Sequence, residues 1–129
     1  MATGFPASTG DIFTAADYNG LVTFEIGAAQ TGDYTAVSAD QYQVLEIMNK
    51  SSAIAFKIPT NASVAFPVGT VLNILNIGTG TCTISAVTPG TTTVLSQGAV
   101  AASPTLGQYK TAACIKTATD TWYVVGAVA

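Results

Sequence analysis

Histidine and arginine are absent from this chain, and charge of either sign is scarce: four lysines stand against seven carboxylates, a formal charge of −3. Without imidazole, neither a Ser-His-Asp nor a Cys-His relay can be built, and the side chain best suited to proton transfer near neutrality is missing. Lysines so few leave no electrostatic footprint for phosphate, so nucleic acid is not an expected partner. Cysteine is limited to Cys82 and Cys114, and a single pair gives neither a disulfide framework nor zinc-site spacing. Both fall on the apolar side of strand-like runs, which marks them as buried thiols. No apolar run reaches the ~18 residues of a membrane span. The start, Met-Ala-Thr-Gly-Phe-Pro, has no basic leader and no unbroken apolar stretch, so no signal peptide is expected and synthesis is expected in the cytosol.

What remains is apolar and small. Apolar residues make up 49% of the chain and charged ones 9%, where an ordinary soluble domain carries about 25% charged residues. A surface so poor in charge is solvated by Thr, Ser, Asn and Gln or is covered by a partner. At 129 residues the chain makes one domain with an extension, long enough to bury roughly two-thirds of its unfolded surface.

The chain is organised around Phe66 to Ser85, which reads as a buried β-hairpin. Val71 to Ile77 is a short apolar run rich in β-formers, with apolar residues on both parities, so a strand covered on both sides is expected. Gly78-Thr79-Gly80 supplies the positive φ angles of a tight reversal, and Thr81 to Ala86 alternates with Cys82, Ile84 and Ala86 inward.

Upstream, residues 1–29 read as an arm. Met1 to Gly10 lacks hydrophobic periodicity, Thr14-Ala-Ala-Asp17 supports one helical turn, and Leu21 to Ile26 alternates weakly with Val22, Phe24 and Ile26 on the apolar side. Residues 30–129 show short β-forming runs separated by turns about ten residues apart, which predicts an all-β domain, an antiparallel sandwich or barrel. Its expected strands include Tyr34 to Val37, Gln43 to Met48 with Leu45 and Ile47 inward, and Ala53 to Ile58 with Ile54, Phe56 and Ile58 inward and Lys57 outward. Thr91 to Leu95 is too polar to be fully buried. Gln97 to Leu106 reads as a loop, and Tyr109 to Lys116 with Thr121 to Gly126 as a second hairpin whose Trp122 and Val124 close one end of the core.

Little in this chain carries chemistry. Carboxylate pairs such as Asp33 with Asp40, or Glu46 with Asp120, are the arrangement that hydrolyses glycosides when they meet. Against that, Asp17, Asp33, Asp40 and Asp120 all sit in turn contexts where Asp accepts from backbone donors, so no catalysis is expected. The aspartates miss EF-hand spacing, and Gly78-Thr-Gly80 lacks the third glycine and the Lys-Ser/Thr of nucleotide loops. No metal or cofactor is expected. Tyr34, Tyr42, Tyr109 and Tyr123 are candidates for a sugar platform, against the plainer role of lining the core's rim.

An ordered set of short motifs resembles a domain recurrent in tailed-bacteriophage virion proteins, in tail fibres and head-decoration proteins. The motifs are Tyr34-Thr-Ala-Val-Ser-Ala-Asp40, Val44-Leu-Glu-Ile-Met-Asn49, Ile58-Pro-Thr-Asn61, Phe66-Pro-Val-Gly69, Ile77-Gly-Thr-Gly-Thr-Cys-Thr-Ile84 and the closing Ile115-Lys-Thr-Ala-Thr-Asp-Thr-Trp-Tyr-Val-Val-Gly126. Gly10-Asp-Ile-Phe-Thr-Ala-Ala-Asp-Tyr-Asn19 is similar to the segment that begins many phage fibre modules. Fibre proteins are long chains with this module as one part, whereas here it is nearly the whole sequence. The resemblance therefore implies a decoration, or cement, protein on the capsid exterior of the virion, made in the host cytoplasm. Its implied partners are the major capsid protein and copies of itself, as a homotrimer. Within the arm, Phe5, Pro6, Ile12, Phe13 and Tyr18 are the expected partner-binding residues. The alternative is a tail-fibre or tail-tip module that binds a host glycan through the tyrosines and the Gln97 to Leu106 loop. No catalytic residues transfer with either reading.

Overall fold

Strand-forming runs and turn residues alternate along the chain, and the computed structural model describes residues 23–96 and 103–129 together with Ala15. The arm residues Phe5, Pro6, Ile12, Phe13 and Tyr18 lie outside the described residues, as do residues 97–102 of the expected loop. Ala15, the one described residue of the expected Thr14–Asp17 turn, is helical. The described strands are β1 (Glu25–Ile26), β2 (Tyr34–Thr35), β3 (Val44–Met48), β4 (Ile54–Ile58), β5 (Val71–Asn76), β6 (Cys82–Ala86), β7 (Thr93–Ser96), β8 (Thr105–Leu106), β9 (Lys110–Ala118) and β10 (Thr121–Gly126). A one-turn 3-10 helix at Ser38–Gln41 joins β2 to β3.

The strands form two sheets, one ordered β1-β3-β5-β9-β10-β7 and the other β2-β4-β6-β8. Up to β9 the chain changes sheet with every strand. Through β6 each return to a sheet runs in the direction of the previous visit, so β1-β3-β5 and β2-β4-β6 are parallel ladders, whereas β8 runs antiparallel to β6. Only β9 and β10 are consecutive strands in one sheet, and they make the antiparallel hairpin expected at the C-terminal end. The all-β sandwich expected from sequence is present, but its sheets are mixed where antiparallel ones were expected.

The winding changes the reading of the central segment. β5 and β6 are the expected strands, yet they belong to different sheets, so Gly78-Thr79-Gly80 is an arch across the core rather than a hairpin turn. Nor do Gly78 and Gly80 serve by positive φ, which among described glycines occurs at Gly69 and Gly126. They are needed because this arch stacks on the arch below it. A Cβ on Gly78 would lie 2.4 Å from the Lys50 backbone, and one on Gly80 would lie 1.8 Å from the Ser52 carbonyl oxygen. The stacking is tied by Gly80 N–H donating to Lys50 O at 2.9 Å and Ile77 N–H donating to Met48 O at 2.9 Å. Asn76, fully buried, braces the same arch: its Nδ2 donates to Gly80 O and Leu106 O, and its Oδ1 accepts from Gly78 N–H.

Side-chain alternation sets the core between the sheets. In the smaller sheet Ile54, Phe56 and Ile58 sit in register with Cys82, Ile84 and Ala86, all inward as expected. In the larger sheet Leu72 is in register with Cys114, and Cys114 with Val124, again inward. Trp122 is buried and meets Phe66 edge-on, with ring centroids 5.6 Å apart, closing one end of the core. Both cysteines are free and buried, and burial pushes the Cys82 thiol up to about 11 and the Cys114 thiol higher still, so both stay protonated and inert.

Two expectations about facing are corrected. Val44, Glu46 and Met48 share the inner register with Leu72, Ile74 and Asn76, and Leu45 and Ile47 lie on the opposite register, where Leu45 is half-buried and Ile47 nonetheless buried. Phe24 and Ile26 are exposed. Thr91 to Leu95 is only partly buried, as expected: Thr91 is exposed and Thr92 buried, its hydroxyl donating to Asp120 Oδ1 at 3.1 Å.

Candidate functional site

The two sheets turn very different surfaces to solvent. On the smaller sheet the outward register rows are Thr35, Lys57 and Ser85, and Ala55, Thr83 and Thr105, the polar mixture expected of a solvated face. On the larger sheet the rows are Ile26, Leu45, Asn73, Ala113 and Val125; Val71, Ile115, Tyr123 and Leu95; and Ile47, Leu75 and Thr111, of which Ile47 is buried. No lysine or carboxylate occurs in those three rows. Ile26 is 65% exposed, Val125 48% and Tyr123 44%.

This second apolar face explains why β5 reads as apolar on both parities. Leu72 and Ile74 fill the core, while Val71 and Leu75 point the other way, Val71 exposed and Leu75 half-buried. Short side chains at Asn73 and Ala113 leave a groove of about 370 Å³ between Phe24, Leu45 and Val125. At the end of the groove Gly126 holds φ at +124°, and a Cβ there would meet Thr111 O at 2.7 Å, so the position admits only glycine comfortably. The chemistry available on this face is burial of apolar area: it can dock a surface, with no group to hold an ion or transfer a proton.

The carboxylates are distributed otherwise than the sequence allowed. Asp33 accepts the Ala55 N–H at 2.9 Å, and Asp120 accepts the Asn61 N–H at 2.8 Å, so both serve the backbone as expected of turn aspartates. Asp40 also accepts a backbone donor, Val37 N–H at 2.8 Å, and a second bond from the Tyr34 hydroxyl at 2.7 Å. The pair that meets is Asp40 with Glu46, 5% and 3% exposed. Burial, a hydrogen bond with Asp40 and the charge of Asp40 together push the Glu46 carboxyl up to about 8. Burial and the Asp40 bond likewise hold the Tyr34 hydroxyl protonated. Sequence reasoning missed this pair because it assigned Leu45 and Ile47 to the core, which sends Glu46 to solvent. The isolated Glu in an otherwise apolar strand was the available signal.

Neither Asp40 nor Glu46 lines the groove at Phe24 and Val125 or the one at Ser96 and Val128. Among the described residues no group of three or more Cys, Asp or Glu gathers in a metal-holding arrangement. The tyrosines do not assemble a platform: Tyr34 packs on Phe56 and bonds Asp40, while Tyr109 precedes β9 and Tyr123 lies across from Ile115, roughly 20 Å further along at the usual strand rise.

Comparison with protein-family models, with curated proteins and with solved structures finds no match to this chain.

Proposed function

We propose that this chain is a bacteriophage virion structural protein: a decoration protein that binds the outside of the assembled head as a homotrimer and stabilises it. The observation that carries the reading is the charge-free apolar face of the six-stranded sheet. With strands spaced ~4.8 Å apart and β10 about 20 Å long, the face covers roughly 500 Å². Left in water it is at the upper end of what a monomer exposes. Three such faces turned toward a common axis would bury about 1,500 Å² in all, about 500 Å² at each of three contacts, so each contact alone is small and the closed ring of three holds the assembly. The occupant of the face is therefore a second and third copy of this chain. Each copy carries −3, and an uncharged face is where like-charged copies meet with least repulsion.

Capsid attachment falls to the arm, with Phe5, Pro6, Ile12, Phe13 and Tyr18 as the contacts to the major capsid protein. No catalysis enters. A protein that binds only the assembled shell stabilises it by mass action, and three linked arms raise the effective concentration of each at its site. The ordered motifs that resemble phage virion domains agree with this role. Immunogold labelling of intact virions with an antibody against the chain tests it: label over the heads is expected. Label confined to tails or fibres would refute decoration and favour the glycan-binding alternative.

A further inference from the structure

We propose that Asp40 and Glu46 hold one proton between them, and that this proton latches the first winding of the chain, residues 25–43, onto the rest of the sandwich. Both carboxyls are buried, and Glu46 Oε1 has no hydrogen-bond partner. Two ionised carboxylates cannot share such a site without a cation, whereas one proton lets the Glu46 hydroxyl donate to the Asp40 carboxylate.

The neighbours supply no countercharge. β5, on one side of Glu46, has no titratable residue between Val71 and Asn76. β2 contributes Tyr34, which donates to Asp40, and β1 contributes Glu25, an exposed carboxylate across from Val44. Tyr42, half-buried, follows the 3-10 turn that carries Asp40. Every influence on the Glu46 carboxyl acts in one direction, toward keeping its proton.

The latch matters because the winding's strand pairing is short, although the Gln30–Met48 bridge, the Asp33 bond to Ala55 N–H and buried Ala36 also tie it to the body. β1 pairs with β3 over two residues, and β2 with β4 over two residues. Asp40 gathers the Tyr34 hydroxyl and the Val37 N–H onto itself, so β2 and the turn move with it. Glu46 lies on β3, within the body of the larger sheet. The shared proton is the bond between the two. When hydroxide removes it, two adjacent buried carboxylates repel, and the winding that carries the arm's root opens while the later windings stay closed.

Carboxyl 13C NMR of the intact protein across pH 5 to 10 reads the proton, and amide exchange reads the latch. The Glu46 resonance is expected to titrate near pH 8. The N–H groups of Glu25, Gly27 and Ala36, which bond Gln43 O, Leu45 O and Lys57 O, are expected to exchange tenfold or more faster in the wild type than in Glu46→Gln at pH 9, and equally at pH 6. Glutamine keeps a donor toward Asp40 without a titrating proton. A Glu46 resonance that titrates below pH 5 would overturn the shared proton. Equal exchange in the two proteins at pH 9 would overturn the latch. Should Glu46→Gln fail to fold, Ile84 N–H, bonded to Pro104 O in the later windings, serves as the internal reference in the wild type: opening of the whole molecule at once would contradict a local latch.

Discussion

Single residues carry two buried polar commitments whose removal is measurable. Lys116 is buried on the inner register of β9, and its Nζ donates to Asn61 Oδ1 at 2.6 Å and Phe66 O at 2.7 Å. It ties the 61–66 loop to the sheet. Replacing it with methionine keeps the packed stem but leaves two acceptors unpaired, so Lys116→Met should cost about 2 to 4 kcal/mol in urea unfolding. Glu46 gives the opposite kind of test. Its folded-state value, about 8, lies above its ordinary 4.5, so between those limits the folded chain keeps a proton that the unfolded chain has released. Stability is therefore greatest below the window, falls as pH rises through it, and is level above about 8. Glu46→Gln should flatten that slope, read as the urea midpoint at pH 5 and pH 9. Neither residue was legible in its role. Parity placed Glu46 outward, and a lysine near the end of a strand of small residues has the pattern of an ordinary surface charge.

At the scale of elements, most strand positions were legible, although Thr105–Leu106 lies in an expected loop and is a strand, and of the strand partners only the β9–β10 hairpin was legible. Ile54-Ala-Phe-Lys-Ile alternates over its whole length, and Thr121 to Gly126 was bounded correctly, because period-two patterning and turn residues are local signals. A hairpin and an arch, however, share the pattern strand, turn, strand. They differ only in whether the two strands exchange hydrogen bonds or face each other across a core. The Gly-Thr-Gly of residues 78–80 was read as conformational freedom, whereas it is space for the backbone of the arch beneath. Gly80→Ala should therefore destabilise by more than about 2 kcal/mol, in the range of overpacking and backbone displacement. Gly32→Ala, where a Cβ meets nothing within 4 Å, should stay within about 0.5 kcal/mol. Equal costs at the two positions would mean that the arches do not stack. Ile74→Ala, at a fully buried site on β5, should cost about 2 to 5 kcal/mol.

For the whole molecule, the low charge seen in the composition resolves into an asymmetry between two faces. The smaller sheet is solvated by Thr, Ser and Lys57, while the larger sheet presents three uncharged rows. Composition announced that surface was missing its charge, but it could not say where, because assigning a face requires strand order. The proposed assembly brings copies of the chain together on the larger sheet. Sedimentation equilibrium of the wild type and of Val125→Asp tests it directly. Val125 is half exposed on the outer face, so the aspartate leaves the core untouched and its thermal unfolding should match the wild type. The account predicts three times the 13.1 kDa chain mass for the wild type and the single-chain mass for the variant. A wild type that stays at the single-chain mass, or a variant that still sediments as a trimer, would contradict it.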